Sequence, residues 1–146
     1  MSVTRTVSLV YGIVIGEHID CEDTTKEVVK YNEDTGEPRT VSVTESKYTF
    51  CGKPVTEDYF IGEIKEMIEQ ANNTELEIHQ CVSDDPYADI LGIEVVEFEF
   101  GTYYDLDEFI DPEMRERVAE LIKEIFCSEE YQDKLDVGPC IVLYVG

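Results

Sequence analysis

The chain opens on a stretch in which neither face of an alternating pattern is polar. In residues 6–16, TVSLVYGIVIG, Val7, Leu9, Tyr11, Ile13 and Ile15 fall on one side and Ser8, Val10, Gly12, Val14 and Gly16 on the other. A strand covered on both faces needs that composition, so a central strand is predicted here. Two β-rich runs follow, Thr25 to Tyr31 and Arg39 to Thr44, separated by Asn32-Glu33-Asp34-Thr35-Gly36-Glu37-Pro38. The turn formers between them predict a hairpin with a long loop. Lys47 to Cys51 is expected to continue the sheet and Gly52-Lys53-Pro54 to end it.

The period then lengthens. Phe60, Ile61, Ile64, Met67, Ile68 and Ala71 recur at helical spacing behind Thr56, a capping residue, and Glu57 and Asp58, which suit the positive end of a helix dipole. Asn72-Asn73 closes that helix. Alternation returns in Leu76, Ile78, Gln80 and Val82 against Glu75, Glu77, His79 and Cys81, a strand with one solvated face. After a loop at 83–89, Ile93 to Phe100 sends Val96, Phe98 and Phe100 inward and Glu97 and Glu99 outward. The adjacent Val95-Val96 pair breaks step and predicts a bulge. Asp111-Pro112 starts a second helix with apolar positions Met114, Val118, Leu121, Ile122, Ile125 and Phe126. Ser128-Glu129-Glu130 could begin a further helical turn, and Cys140 to Val145 reads as a last buried strand.

These elements give an α+β fold in the order β-β-β-(β)-α-β-β-α-β. A mainly antiparallel sheet of about five to seven strands carries two main helices. With 146 residues, no repeat and no linker, residues 1–146 are expected to form a single compact domain.

Charge changes the picture more than composition does. The formal net charge is −23, with 14 acids and 7 bases in residues 1–73 and 20 acids and 4 bases in residues 74–146. From Glu66 to Met114 there are fifteen Asp and Glu and no Lys or Arg. Such a surface repels nucleic acid and anionic membranes and draws basic partners at rates that fall with salt. A halophilic origin would also explain acidity, but it would spread the charge around the surface rather than gather it. The 42% of apolar residues, with nine Tyr and six Phe, excludes an acidic disordered tail.

Catalytic and metal chemistry find little footing. The five cysteines are odd in number and form no C-x-x-C pair, and the N-terminal apolar run is too short to span a bilayer; a reduced cytoplasm is the simplest setting. The two histidines lie near cysteines, in His18-Ile19-Asp20-Cys21 and His79-Gln80-Cys81, which raises a zinc site only if the two pairs meet across the sheet. Asp105-Leu106-Asp107-Glu108-Phe109-Ile110-Asp111 has acids at alternate positions. It places Phe109 where a calcium loop needs an oxygen ligand and Ile110 where it needs glycine, so a turn and helix cap explain it better. No nucleophile elbow, phosphate loop, dinucleotide fingerprint or H-E-x-x-H pair occurs, so no catalytic residue and no cofactor is assigned.

The candidate site is therefore the acidic surface of Glu75, Glu77, Asp84, Asp85, Asp89, Glu94, Glu97, Glu99, Asp105, Asp107 and Glu108. Carboxylates on alternate strand positions lie about 6.8 Å apart, and DNA also presents regularly spaced negative charge. In general character the chain looks like small acidic nucleic-acid mimics, including phage-encoded anti-restriction and anti-CRISPR inhibitors. That compositional resemblance implies a non-enzymatic protein occupying the basic surface of a nucleic-acid-handling protein. A structural protein forming a homo-oligomer through Tyr59, Tyr87, Tyr103 and Tyr104 is a second expectation. A nucleotide-signal binder holding phosphate near Arg39 or Lys53 is a third.

Overall fold

In the computed structural model, which describes residues 5–80, 85–99 and 105–145, the strand pattern folds into two antiparallel sheets. The elements are β1 (Arg5–Val14), β2 (Ile19–Tyr31), β3 (Pro38–Phe50), β4 (Lys53–Val55), α1 (Phe60–Gln70), β5 (Glu77–His79), β6 (Ile90–Glu99), α2 (Pro112–Phe126) and β7 (Gly138–Val145). One sheet has the order β5-β6-β1-β7 and the other β2-β3-β4. The fold class is the α+β arrangement expected, with its seven strands divided between two sheets rather than joined in one.

β1 is central, pairing antiparallel with β6 on one side and β7 on the other. Its odd face supplies Tyr11 and Ile13 to the main core, where they meet Leu91, Ile64 of α1, and Val118, Ile122 and Phe126 of α2. Its even face supplies Val10 to a smaller cluster with Ile90 and Val142. This double burial is why the opening run carries no charged residue. Gly12 faces Gly92 across the β1–β6 pair, and a Cβ on Gly12 would stand 2.1 Å from the Leu91 carbonyl oxygen. The two strands approach that closely only because neither residue has a side chain.

The helices follow their apolar stripes. Asp111 caps α2 by accepting hydrogen bonds from the backbone N–H groups of Glu113 (3.1 Å) and Met114 (3.2 Å), with Pro112 in the first turn. The hydroxyl of buried Tyr11 donates to the Phe109 carbonyl and accepts from the Asp111 N–H at 2.9 Å, so the central strand fixes where α2 begins. Helix α1 starts later than the sequence suggests. Thr56 does not cap it; Thr56 opens a turn instead, donating through its N–H and its hydroxyl to Glu63, both at 2.8 Å, and Phe60 is the first helical residue.

Several strand boundaries differ from expectation for physical reasons. β2 and β3 run thirteen residues each, pairing Ile19 with Phe50 at one end and Tyr31 with Pro38 at the other. The charged residues between Asp20 and Glu27 hid this length, because an exposed ribbon needs no apolar alternation. Cys51 and Gly52, at φ of 51° and 84°, make a two-residue turn, after which Lys53–Val55 pairs back on β3 instead of ending the sheet. β5 spans only Glu77–His79, with His79 buried and Gln80 exposed, the reverse of the predicted alternation. β7 is an edge strand whose Ile141 and Leu143 remain exposed, not a fully buried one. A 3₁₀ turn at Gln132–Lys134 follows the Ser128 turn.

Because a methyl group on Gly12 would meet backbone rather than a movable side chain, Gly12→Ala is expected to destabilise the fold by about 3 kcal/mol. Asp111→Ala removes a cap and is expected to cost about 1 kcal/mol. Chemical denaturation of both variants against the wild type measures the difference.

Candidate functional site

The acidic surface is organised by the irregularity at Val95. Leu9 pairs with Val96, but the next residue, Val10, pairs with Glu94, so Val95 is the extra residue of a β-bulge in β6. A regular strand would send Glu94 to the face opposite Glu97 and Glu99, because their positions differ by odd numbers. With the bulge, Glu94, Glu97 and Glu99 lie opposite Val10, Ser8 and Thr6, which share the even face of β1. The row faces away from the two helices. Glu77 joins it, since its partner Gly92 pairs with Gly12 on that same face. Diagonal neighbours across paired strands are roughly 7–8 Å apart, so Glu77 and Glu94 extend one continuous line.

All four carboxylates are exposed. The buried Ser8 hydroxyl donates to Glu94 and fixes that carboxylate from below.

The other candidate residues divide. Glu75 stands before β5 and pairs with Arg117 of α2, so it adds no second row on that strand. Asp89 is buried, 5% exposed, and is removed from the outer surface; its carbonyl accepts from the Ile15 N–H at 2.9 Å. Asp85 and Asp105 each cap a short 3₁₀ turn, accepting from the N–H groups of Tyr87 and Asp107. Asp107 and Glu108 lie exposed in the second of these turns. Asp84 lies outside the described residues, as do Cys81, Tyr103 and Tyr104.

Among the described residues, His18, Cys21 and His79 do not come together in a metal-binding group. His18, at the end of the 3₁₀ turn Ile15–His18, is buried and its Nδ1 shares a 2.7 Å hydrogen bond with the Tyr131 hydroxyl, whereas Cys21 is exposed on β2. His79 sits on the four-stranded sheet, and among the described residues no group of three His, Cys, Asp or Glu could hold a metal. Burial holds the His18 imidazole below its usual 6.5 against the opposing pull of Glu17, Asp20 and Asp136. Burial likewise raises the Tyr131 hydroxyl to about 12. The thiols of Cys51 and Cys127 are buried and raised for the same first reason, so neither is an activated nucleophile at neutral pH.

The proposed phosphate ligands are also separate. The Lys53 ammonium donates to the Ile125 carbonyl at the C-terminal end of α2, a position the helix dipole favours. Arg39 lies near the far end of β3, eleven residues from Phe50, the partner of Lys53; that is about 37 Å along a strand. A groove of about 610 Å³ opens beside the start of α1, but Glu57 and Asp58 line it together with Lys65, Tyr59 and Phe60, a poor environment for a phosphate. Tyr59 is exposed there, and Tyr87 packs against Phe60 with ring centroids 5.0 Å apart. No helix among the described residues is long and apolar enough to cross a membrane.

Comparison with known protein families, with known proteins and with solved structures finds no match to this chain.

The lowered His18 pKa fixes a sign. The unfolded chain takes up the proton more readily, so this contribution is complete above pH 6.5 and is lost as pH falls through the folded value. The pH dependence of unfolding free energy between about pH 7 and 5 is expected to be shallower in His18→Gln than in the wild type. Equal slopes would show that His18 is not held neutral.

Proposed function

We propose that the protein is a non-enzymatic binding protein whose acidic sheet face occupies a basic surface on another protein, one that itself handles nucleic acid. The observation that carries this reading is the phase of β6: a one-residue bulge turns Glu94 to the side of Glu97 and Glu99 and brings Glu77 into line. Like charges crowded on one face raise the energy of the free protein. They lower it when a partner supplies matching cations, and a partner built to grip phosphates does so at similar spacing. The row has a second property suited to recognition, because its charges stand on a paired strand inside a packed sheet and lose little freedom on binding.

An alternative use as ordinary solvation explains any one of these glutamates. It does not explain why an irregular strand gathers them, since solvation is served equally on either face.

Immobilised protein is expected to retain basic nucleic-acid-binding proteins from a nuclease-treated lysate at low salt and release them at high salt. The triple variant Glu94→Gln, Glu97→Gln, Glu99→Gln is expected to retain about tenfold less. Retention that is equal in the variant, or insensitive to salt, would refute the assignment.

A further inference from the structure

Cys51 and Cys127 lie far apart in sequence and meet at one place in the fold. Cys51 takes the first position of the two-residue turn between β3 and β4, and Cys127 directly follows α2. The backbone N–H of Ser128 donates to the Cys51 carbonyl at 3.0 Å. By standard peptide dimensions such a hydrogen bond sets the Cα atoms of Cys51 and Cys127 roughly 5–7 Å apart, about the separation that a disulfide bridges. The approach is tight at the next residue too, since a Cβ on Gly52 would stand 2.1 Å from the Ser128 Oγ. Both thiols belong to the main core, Cys51 fully enclosed and Cys127 at 6% exposure. Burial raises both, and each also perturbs the other, Cys127 raising Cys51 further while Cys51 draws Cys127 down.

Backbone conformation singles out the first of the pair. Cys51 has a φ of 51°, and a turn of this kind favours Asn, Asp or Gly at that position. A cysteine there carries backbone strain, yet it places a sulfur in the core beside the end of α2. The contacts around it hold the β2–β3–β4 sheet to the rest of the protein. The Cys51 N–H donates to the His18 carbonyl at 3.1 Å, the Lys53 ammonium donates to the Ile125 carbonyl at 3.3 Å, and Phe50 meets Phe126 edge to face with centroids 5.6 Å apart. All of these are non-covalent.

We infer that Cys51 and Cys127 form a redox latch, a dithiol that closes to a disulfide and fastens the β2–β3–β4 sheet to the end of α2. The oxidant is a low-molecular-weight disulfide. The Cys127 thiolate, the less enclosed of the two, attacks one sulfur of the oxidant and displaces the other as a thiolate. Cys51 then loses its proton and attacks the Cys127 sulfur of the mixed disulfide, displacing the second small thiolate. The two cysteines together give up two protons and two electrons, and the oxidant becomes two thiols. Because burial raises both thiols, closure is slow at neutral pH and faster as pH rises. The bond closes a loop that contains β4, α1, β5 and β6, so oxidation stabilises the strand that presents the acidic row. In a reducing compartment the latch stays open and the fold rests on its non-covalent contacts.

Refolding of the reduced full chain in glutathione redox buffers, followed by an acid quench and peptide mapping without reductant, tests the latch. Starting from the unfolded chain removes any barrier that burial sets. A Cys51–Cys127 link is expected as the dominant disulfide, with an equilibrium constant for closure about 100-fold larger in native buffer than in denaturing urea. The midpoint of thermal unfolding is expected to rise by about 5–10 °C on oxidation. In Cys127→Ala that oxidation-dependent rise is expected to vanish, and if this variant does not fold the wild-type map and midpoint decide alone. Cys51 and Cys127 thiols that stay free even in oxidised glutathione overturn the proposal, as does a dominant link from either to Cys21, Cys81 or Cys140. So does a Cys51–Cys127 bond that leaves the thermal midpoint unchanged or lower.

Discussion

The close pairing of β1 with β6 is the constraint on which the rest of this protein depends. Gly12 and Gly92 meet where any side chain would strike backbone, and this contact sets the separation of the two strands. On one side it brings Tyr11 and Ile13 into the helix-covered core. The Tyr11 hydroxyl then reaches the Phe109–Asp111 segment and determines where α2 starts. On the other side the same register, stepped once at Val95, aligns the carboxylates. Packing and candidate site are thus two faces of one strand pair.

Electrostatics is distributed with the same economy. The described salt bridges tie Lys26 to Glu45, Arg115 to Asp136 and Arg117 to Glu75, all between largely exposed side chains, and such pairs contribute at most about 1 kcal/mol each. They do not neutralise a charge of −23. Stability must come from the apolar core, leaving the surface free to hold unbalanced negative charge, the carboxylates of β6 among it.

Legibility differed by element according to how much of the signal was local. The β1 strand, the α2 cap at Asp111-Pro112 and the Val95-Val96 irregularity could be read from neighbouring residues, because burial on both faces, capping and a broken alternation each leave a short-range mark. The length of β2 and β3 could not. Their residues are held by pairing with each other, not by a core, so the apolar periodicity that reveals strands is missing. His79 and Asp89 were misread for the opposite reason. Polar residues that alternate or sit in loops look exposed, and only the packing around them buries these two.

The sequence by itself determined the α+β class, the two helices, the central strand and the concentration of negative charge. These follow from local pattern and composition, which do not depend on what lies opposite in space. Tertiary structure decided which acids act together. Glu75 was drawn away to Arg117, Asp89 was buried, and Glu94 was rotated into the row with Glu97 and Glu99. It also set Lys30 against Arg39, nine residues apart in sequence but directly paired across the ribbon. Register is a relation between strands, and because side chains change face with every residue, a single step of it reassigns an entire surface.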